Sequence, residues 1–488
     1  MTTLAAIALN RFGMGARPGD FDKIGRDPRD FLKAQVERAK GVPKPLQTLA
    51  GSIDYINAAP ERGTGQEGVR AYRLRGRALY QQEIALRYAY GIATGEGFTE
   101  RLVRFWSNHF TVSIANRQVE PFAGAMEREA IRPHLTGKFE DMLLAVCRHP
   151  AMLIYLDNAN SFGPNSAVGR RRNVGLNENL AREILELHTL GVEGGYTQAD
   201  VLALAKIITG WTRQGPQTRQ AGVTGDAVGF VYLPAGHEPG DHVLLGKTYP
   251  ETRDDAQGIA ALKDLARHPS TARFIARKLA NHFIADVPPA RAVDALADVY
   301  ARTGGDLKAV TLALVDLDEA WVPETRKFRA PEDFVVAGMR ALSADSSLTA
   351  QSFVQAALNI EEGLSQAGDV MDPQSYQQAL RTINRSNDPA MALLRTVGAL
   401  GQYPFTAPSP AGWPDEASAW AGPDALIERL DWANAISARL RPNLEPVAFA
   451  RAVLGPDISQ STERVLSGAA SPAQGAALVL ASPEFQRR

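Results

Sequence analysis

The sequence predicts a mainly α protein: a large multi-helix globular body with a small β-hairpin insertion. Three observations predict it. Apolar residues recur at three- and four-residue spacing along most of the 488 residues. Helix-start signals stand where several of those stretches begin. Strand-like sequence is confined to one short region.

Taken in order, the periodic stretches run from about Tyr80 to Ile92, Thr99 to Val112, Phe139 to Val146, Asn177 to Leu190 and Ala199 to Trp211. They resume at Ile259 to Ala266, Thr271 to Ile284, Ala290 to Tyr300, Leu307 to Leu317, Asp333 to Leu342, Ala425 to Leu440 and Ala473 to Leu480. Thr197 with Asp200 has the form of a capping box, and Asp306 caps the helix after it. Pro269 and Pro472 sit where a first helical turn tolerates proline. The hairpin is read over 229–245, with Gly229–Pro234 facing His242–Leu245. Loops are read at Gly51–Gly68, Asn158–Val174, Arg213–Gly229 and Gly401–Trp420. A Ser-rich turn near Ser343–Leu348 suggests a core body over 1–345 and a C-terminal helical part, 346–488, packed on it, with one continuous domain as the alternative.

Composition narrows the function classes. The net charge of -1 gives no footprint for nucleic acid. No run of about 20 apolar residues is present, so no membrane insertion is expected. Leu4–Leu9 is too short for a signal-peptide core, which leaves the compartment open between cytoplasm and export with a partner. The single cysteine, Cys147, follows an apolar run and reads as a buried hydrophobe. H-E-x-x-H, G-x-S-x-G and C-x-x-C motifs are absent, and Gly240–Thr248 has the wrong spacing for a phosphate loop.

The polar constellations that remain sit on helices. Within 175–190, placed on a regular helix, Glu178, Asn179, Arg182, Glu183 and Glu186 cover the solvated face. Asn177 and His188 fall within the apolar arc. There a polar group is costly unless satisfied. His109 occupies the same position on the 101–110 helix, beside Asn108. The proposed hairpin loop adds His237, Glu238, Asp241 and His242. Each of these has a structural alternative, a core histidine or a solvated turn. His134, His149, His268 and His282 stand at helix ends and are assigned structural roles, with His149 and His268 capping the helix before each. Arg170–Arg172 is read as a solvated basic run.

At these residues the chain resembles the bacterial family called domain of unknown function 1800. The matching segments include RFWSNHF (104–110), HPAMLIYLDNANSFGPNS (149–166), GLNENLAREILELHTLGVEGGYTQADV (175–201), ITGWT (208–212), HEPGDHVLLGKTY (237–249), HPSTARFIARKLANHF (268–283) and GQYPFTAPSPAGWPDEASAW (401–420). The resemblance brings no reaction and no catalytic set with it. It implies one partner by association, an exported sulfatase-like neighbour protein of family number 1501.

The sequence therefore favours an enzyme or enzyme subunit, hydrolase-like and open to a metal, with a polar pocket between helices. Glu183, Glu186, His188 and His109 are the catalytic or ligand candidates. Asn108, Asn177, Asn179, Arg182 and His237 are the substrate-binding candidates. The 158–172 loop and the hairpin are expected to roof the pocket. Cofactor and metal identity stay open. The alternative is a non-catalytic partner, chaperone or scaffold, using Gly401–Trp420 as an adhesive surface.

Overall fold

The computed structural model describes residues 2–342 and 389–488, apart from 62, 216–217, 220–221, 325–326 and 441–442, together with 374 and 377. The domain boundary read at 345/346 lies outside the described residues. The helices that position the site are, in chain order, α1 (Gln66–Ala93), α2 (Gly97–His109), α3 (Phe139–Arg148), α4 (Asn179–Glu183) and α5 (Gln198–Ile207). They continue as α6 (Ala256–Arg267), α7 (Pro269–Phe283), α8 (Pro331–Leu342), α9 (Pro423–Leu440) and α10 (Pro472–Ala481).

Local signals explain most boundaries. The Thr197–Asp200 capping box starts α5, and Pro269 and Pro472 occupy the first turns of α7 and α10. Asp306 accepts from the Ala309 amide at the start of the Leu307–Asp316 helix. His149 and His268 act differently from the expectation. Each caps the helix that follows it, His149 Nδ1 accepting from the Ala151 amide and His268 Nδ1 from Ser270. That role needs a neutral imidazole with a lone pair on Nδ1, not a cation at a helix C-terminus.

Among the described residues, four strands form two separate two-stranded ribbons. Strand β1 (Trp211–Arg213) pairs antiparallel with β2 (Phe230–Tyr232), and β3 (His242–Leu244) with β4 (Lys247–Tyr249). This corrects the hairpin read over 229–245: its two segments pair with other partners. Leu245 and Gly246, at φ 50° and 76°, make a two-residue turn that closes β3 onto the nearer strand. The 158–174 segment is also not wholly loop. Ser166 accepts from the Gly169 amide and starts a short helix, Ala167–Arg172, which carries the exposed arginines.

Among the described residues, two apolar clusters fill the interior. One gathers residues from the first helices through Trp321, including Phe98, Trp106, Phe139, Leu185 and Phe283. The other joins Ile84–Ile92 of α1 and Phe334–Leu342 of α8 to Leu393, Leu480 and Phe485. Charged residues run between them. Arg87 Nε donates to Glu127 at 2.8 Å, and Arg132 reaches Glu127 at 2.9 Å and Glu100 at 2.8 Å. Arg128 binds Glu83 at 2.6 Å. All are buried. Buried charges of this kind persist only when paired, so the network fixes how the two clusters meet. Cys147 is fully buried, as expected.

Candidate functional site

A cleft of about 630 Å³ opens along this seam. Two helices make its walls. On α2, Arg101, Arg104, Phe105, Asn108 and His109 follow i, i+3, i+4, i+7, i+8 spacing and so share one face. On α7, Phe274, Arg277, Lys278, Asn281 and His282 repeat that spacing. Both helices end in Asn-His-Phe, at 108–110 and 281–283. Glu332 and Asp333, in the first turn of α8, contribute from a third side.

The fourth side is the Pro/Trp-rich segment. Asn108 clips it in place, its Nδ2 donating to the Trp413 carbonyl at 2.9 Å and its Oδ1 accepting the Trp413 amide at 2.8 Å. Gly412, at φ 86°, must be glycine, because a Cβ there would lie 2.5 Å from the Asn108 carbonyl oxygen. Tyr80 donates to the Pro404 carbonyl, and the Phe405 carbonyl accepts from the Ile114 amide. Trp420 is buried and donates to the Pro414 carbonyl, and Trp413 is half-buried beside it. The segment read as an adhesive surface is instead a pinned wall of the cleft.

This wall delivers Asp415 to His282. Asp415 Oδ2 lies 2.7 Å from His282 Nδ1, while Arg488 stands 3.5 Å from Asp415 Oδ1 and Lys327 Nζ donates to the Asp415 carbonyl at 2.6 Å. Burial pushes the His282 pKa down to about 4, against the Asp415 charge and with help from Arg488 and Arg101. Asp415 is held low by His282, Arg488 and Lys327 despite its burial. The imidazole is therefore neutral near pH 7. Facing an ionised carboxylate, it must carry its proton on Nδ1, which leaves the lone pair on Nε2. Nε2 has no hydrogen-bond partner among the described residues.

Glu332 is clamped by Arg87 and Arg104, and Asp333 by Arg101 at 2.8 Å and Arg488 at 3.2 Å. These guanidiniums hold Asp333 well below the usual carboxylate range. Asp333 thus shapes the cleft rather than titrating in it.

The residues singled out from the sequence are divided by the structure. Asn108 and His109 line the cleft, but Glu183, Glu186, His188, Asn177, Asn179, Arg182 and His237 do not. His109 Nε2 donates to the His188 carbonyl at 3.2 Å, and His188 is fully buried behind it. Burial lowers both pKa values, that of His188 to about 3, so both are neutral interior groups. Glu183 and Glu186 are half-buried, with Glu186 accepting from Tyr196. Burial and the neighbouring Glu186 raise the Glu183 pKa. Among the described residues no three His, Cys, Asp or Glu side chains are grouped to hold a metal.

Regular helical phasing holds for the buried arc of Leu180, Ala181, Ile184, Leu185 and His188 and is departed from in two places. Asn177 precedes the helix, and its Oδ1 accepts the Asn179 amide instead of entering the apolar arc. From Ile184 to Thr189 the chain winds as a π-helix, which departs from 100° per residue. Arg182 pairs with Glu178 and Gln198. His237 is bonded to Thr209, and Glu238 holds Asn165, so these residues latch the 158–172 loop instead of roofing a pocket.

A second cluster, Ser52, His149 and Glu129, resembles a nucleophile array only in composition. His149 Nδ1 accepts from an amide, so one Nε2 proton serves both Glu129 at 2.9 Å and Ser52 at 3.2 Å. No ring nitrogen is left to take a proton from the serine.

Sequence comparison places the whole chain. A family model described as protein of unknown function (DUF1800) matches residues 7–487. The chain belongs to this family. No curated protein and no solved structure matches it. The cleft is thus read from its own geometry. Reasoning from the sequence passed over His282 as structural. The signal available was the repeated Asn-His-Phe ending and a polar face on α7 with the spacing of that on α2. No helix among the described residues is long and apolar enough to cross a membrane.

Proposed function

We propose that this family member is an enzyme whose active site is the cleft between α2, α7 and the 402–416 segment. The observation that carries the reading is the Asp415–His282 pair, on a residue of the cleft wall whose Nε2 is buried and has no hydrogen-bond partner among the described residues. A carboxylate that fixes the tautomer leaves the opposite nitrogen to take a proton from water or a substrate hydroxyl. Activation of a hydroxyl for attack is the chemistry of hydrolysis, and the cleft volume suits a small-molecule substrate. Asp415 is a positioning residue. Asn108 and Gly412 position it in turn.

The test is a panel of chromogenic esters, phosphoesters, sulfate esters, glycosides and amides, assayed with and without added divalent metal. Wild-type protein is expected to turn over at least one class, and His282→Gln to lose about 10²–10⁴-fold of that rate. An unchanged rate in the variant would remove His282 from the chemistry. No turnover of any class would favour a non-catalytic partner protein instead.

A further inference from the structure

We propose that the cleft recognises an oxyanion, a carboxylate, phosphate or sulfate group on its ligand, and that Lys278 is the anchoring cation. This deepens the enzymatic reading above and names the substrate class for the same site.

The cleft's carboxylates are largely spoken for. Glu332 is clamped by two arginines, Asp333 by Arg101 and Arg488, and Asp415 by His282 and Arg488. Lys278 stands apart from this pairing. It is half-buried on the cleft face of α7, and its ammonium makes no hydrogen bond or ion pair among the described residues. Its Nζ lies 5.6 Å from the centroid of the Phe274 ring, on the same face. Asp415 and Glu416 act on it only at longer range, and burial lowers its pKa to about 8, so it is mostly charged at neutral pH. A partly desolvated cation without a carboxylate partner is unfavourable on its own account. An anionic ligand supplies the missing partner.

A second donor points the same way. Arg101 is buried on the cleft wall. Its Nε and Nη1 are used by the Gly13 carbonyl and Asp333, while Nη2 has no partner among the described residues. Guanidinium and ammonium donors together are the ordinary means of holding an oxyanion. Bound negative charge would also offset the arginines that depress His282 and bring that base closer to the pH at which it works.

The test is calorimetric titration of the full chain with inorganic phosphate, sulfate and acetate, each in a buffer free of other anions at pH 7. At least one is expected to bind, and the tightest of the three identifies the group. Lys278→Met should weaken that binding by about tenfold or more, and Lys278→Arg should keep it. His282→Gln should also keep it while lowering turnover by about 10²–10⁴-fold, which separates anion recognition from the catalytic reading. Should neither Lys278 variant fold, Arg101→Lys, which withdraws the forked donor but keeps the charge, is expected to weaken binding. Binding of none of the three anions would overturn the proposal. So would equal affinity in a folded Lys278→Met protein.

Discussion

Asp415→Asn is expected to lower turnover by about 10²–10⁴-fold while leaving the protein folded. The substitution changes one atom and keeps the side-chain volume. It removes the charge that requires His282 to hold its proton on Nδ1 across the 2.7 Å contact. An amide can present its NH₂ to Nδ1 as readily as its oxygen. The ring is then free to carry its proton on Nε2, where it donates rather than accepts. Lys327 keeps its bond to the Asp415 backbone carbonyl and its contact with Asp286, so the wall stays attached. The loss should appear in kcat rather than KM, because Asp415 orients the base and does not hold the ligand. A KM effect alone would place Asp415 in binding instead.

Glu127→Ala is expected to destabilise the protein by about 3–5 kcal/mol, the usual cost of stranding a buried charge. Glu127 is the shared acceptor of Arg87 at 2.8 Å and Arg132 at 2.9 Å, and all three are buried. The comparison is Asp294→Ala, which breaks the exposed Arg273–Asp294 pair and should cost no more than about 1 kcal/mol. The measurement is the denaturant midpoint of each variant at unchanged m value.

The same network sets an acid limit. Arg87, Arg132 and Arg104 hold Glu127 below the usual carboxylate range. A carboxyl depressed in the folded state stabilises it above the unfolded pKa, about 4.3. That stability is lost as pH falls through the lower folded value. Wild-type stability should therefore drop below about pH 4, and Glu127→Gln should flatten that dependence.

Where local chemistry decides structure, the sequence was legible. Thr197 and Asp200 announced a helix start, and the apolar arcs of α2 and 175–190 correctly buried His109 and His188. The β-ribbons were not legible as pairs, because the Leu245–Gly246 turn and the partner strand at Trp211 each outcompete the longer connection first read between 230 and 244. The π-helix at Ile184–Thr189 was not itself legible in the sequence.

The cleft was the least legible feature, and the reason is chain distance. Asn108 grips a segment 305 residues away, and His282 meets a carboxylate 133 residues on. Each partner alone looks ordinary: an asparagine near a helix end, a histidine beside a phenylalanine, an aspartate in a proline-rich loop. Only the fold makes them neighbours. Polar residues adjacent in sequence, such as Glu183, Glu186 and His188, draw attention by proximity and lie outside the cleft, half-buried or buried.

The most direct test of the account is the tautomer of His282. It can be read from long-range ¹H–¹⁵N spectra of histidine-labelled wild-type protein at pH 7, with His282→Gln supplying the assignment. The account predicts a neutral ring, protonated on Nδ1 and bare on Nε2. A doubly protonated imidazolium, or a proton on Nε2 alone, would contradict it, because neither form can accept a proton in the cleft.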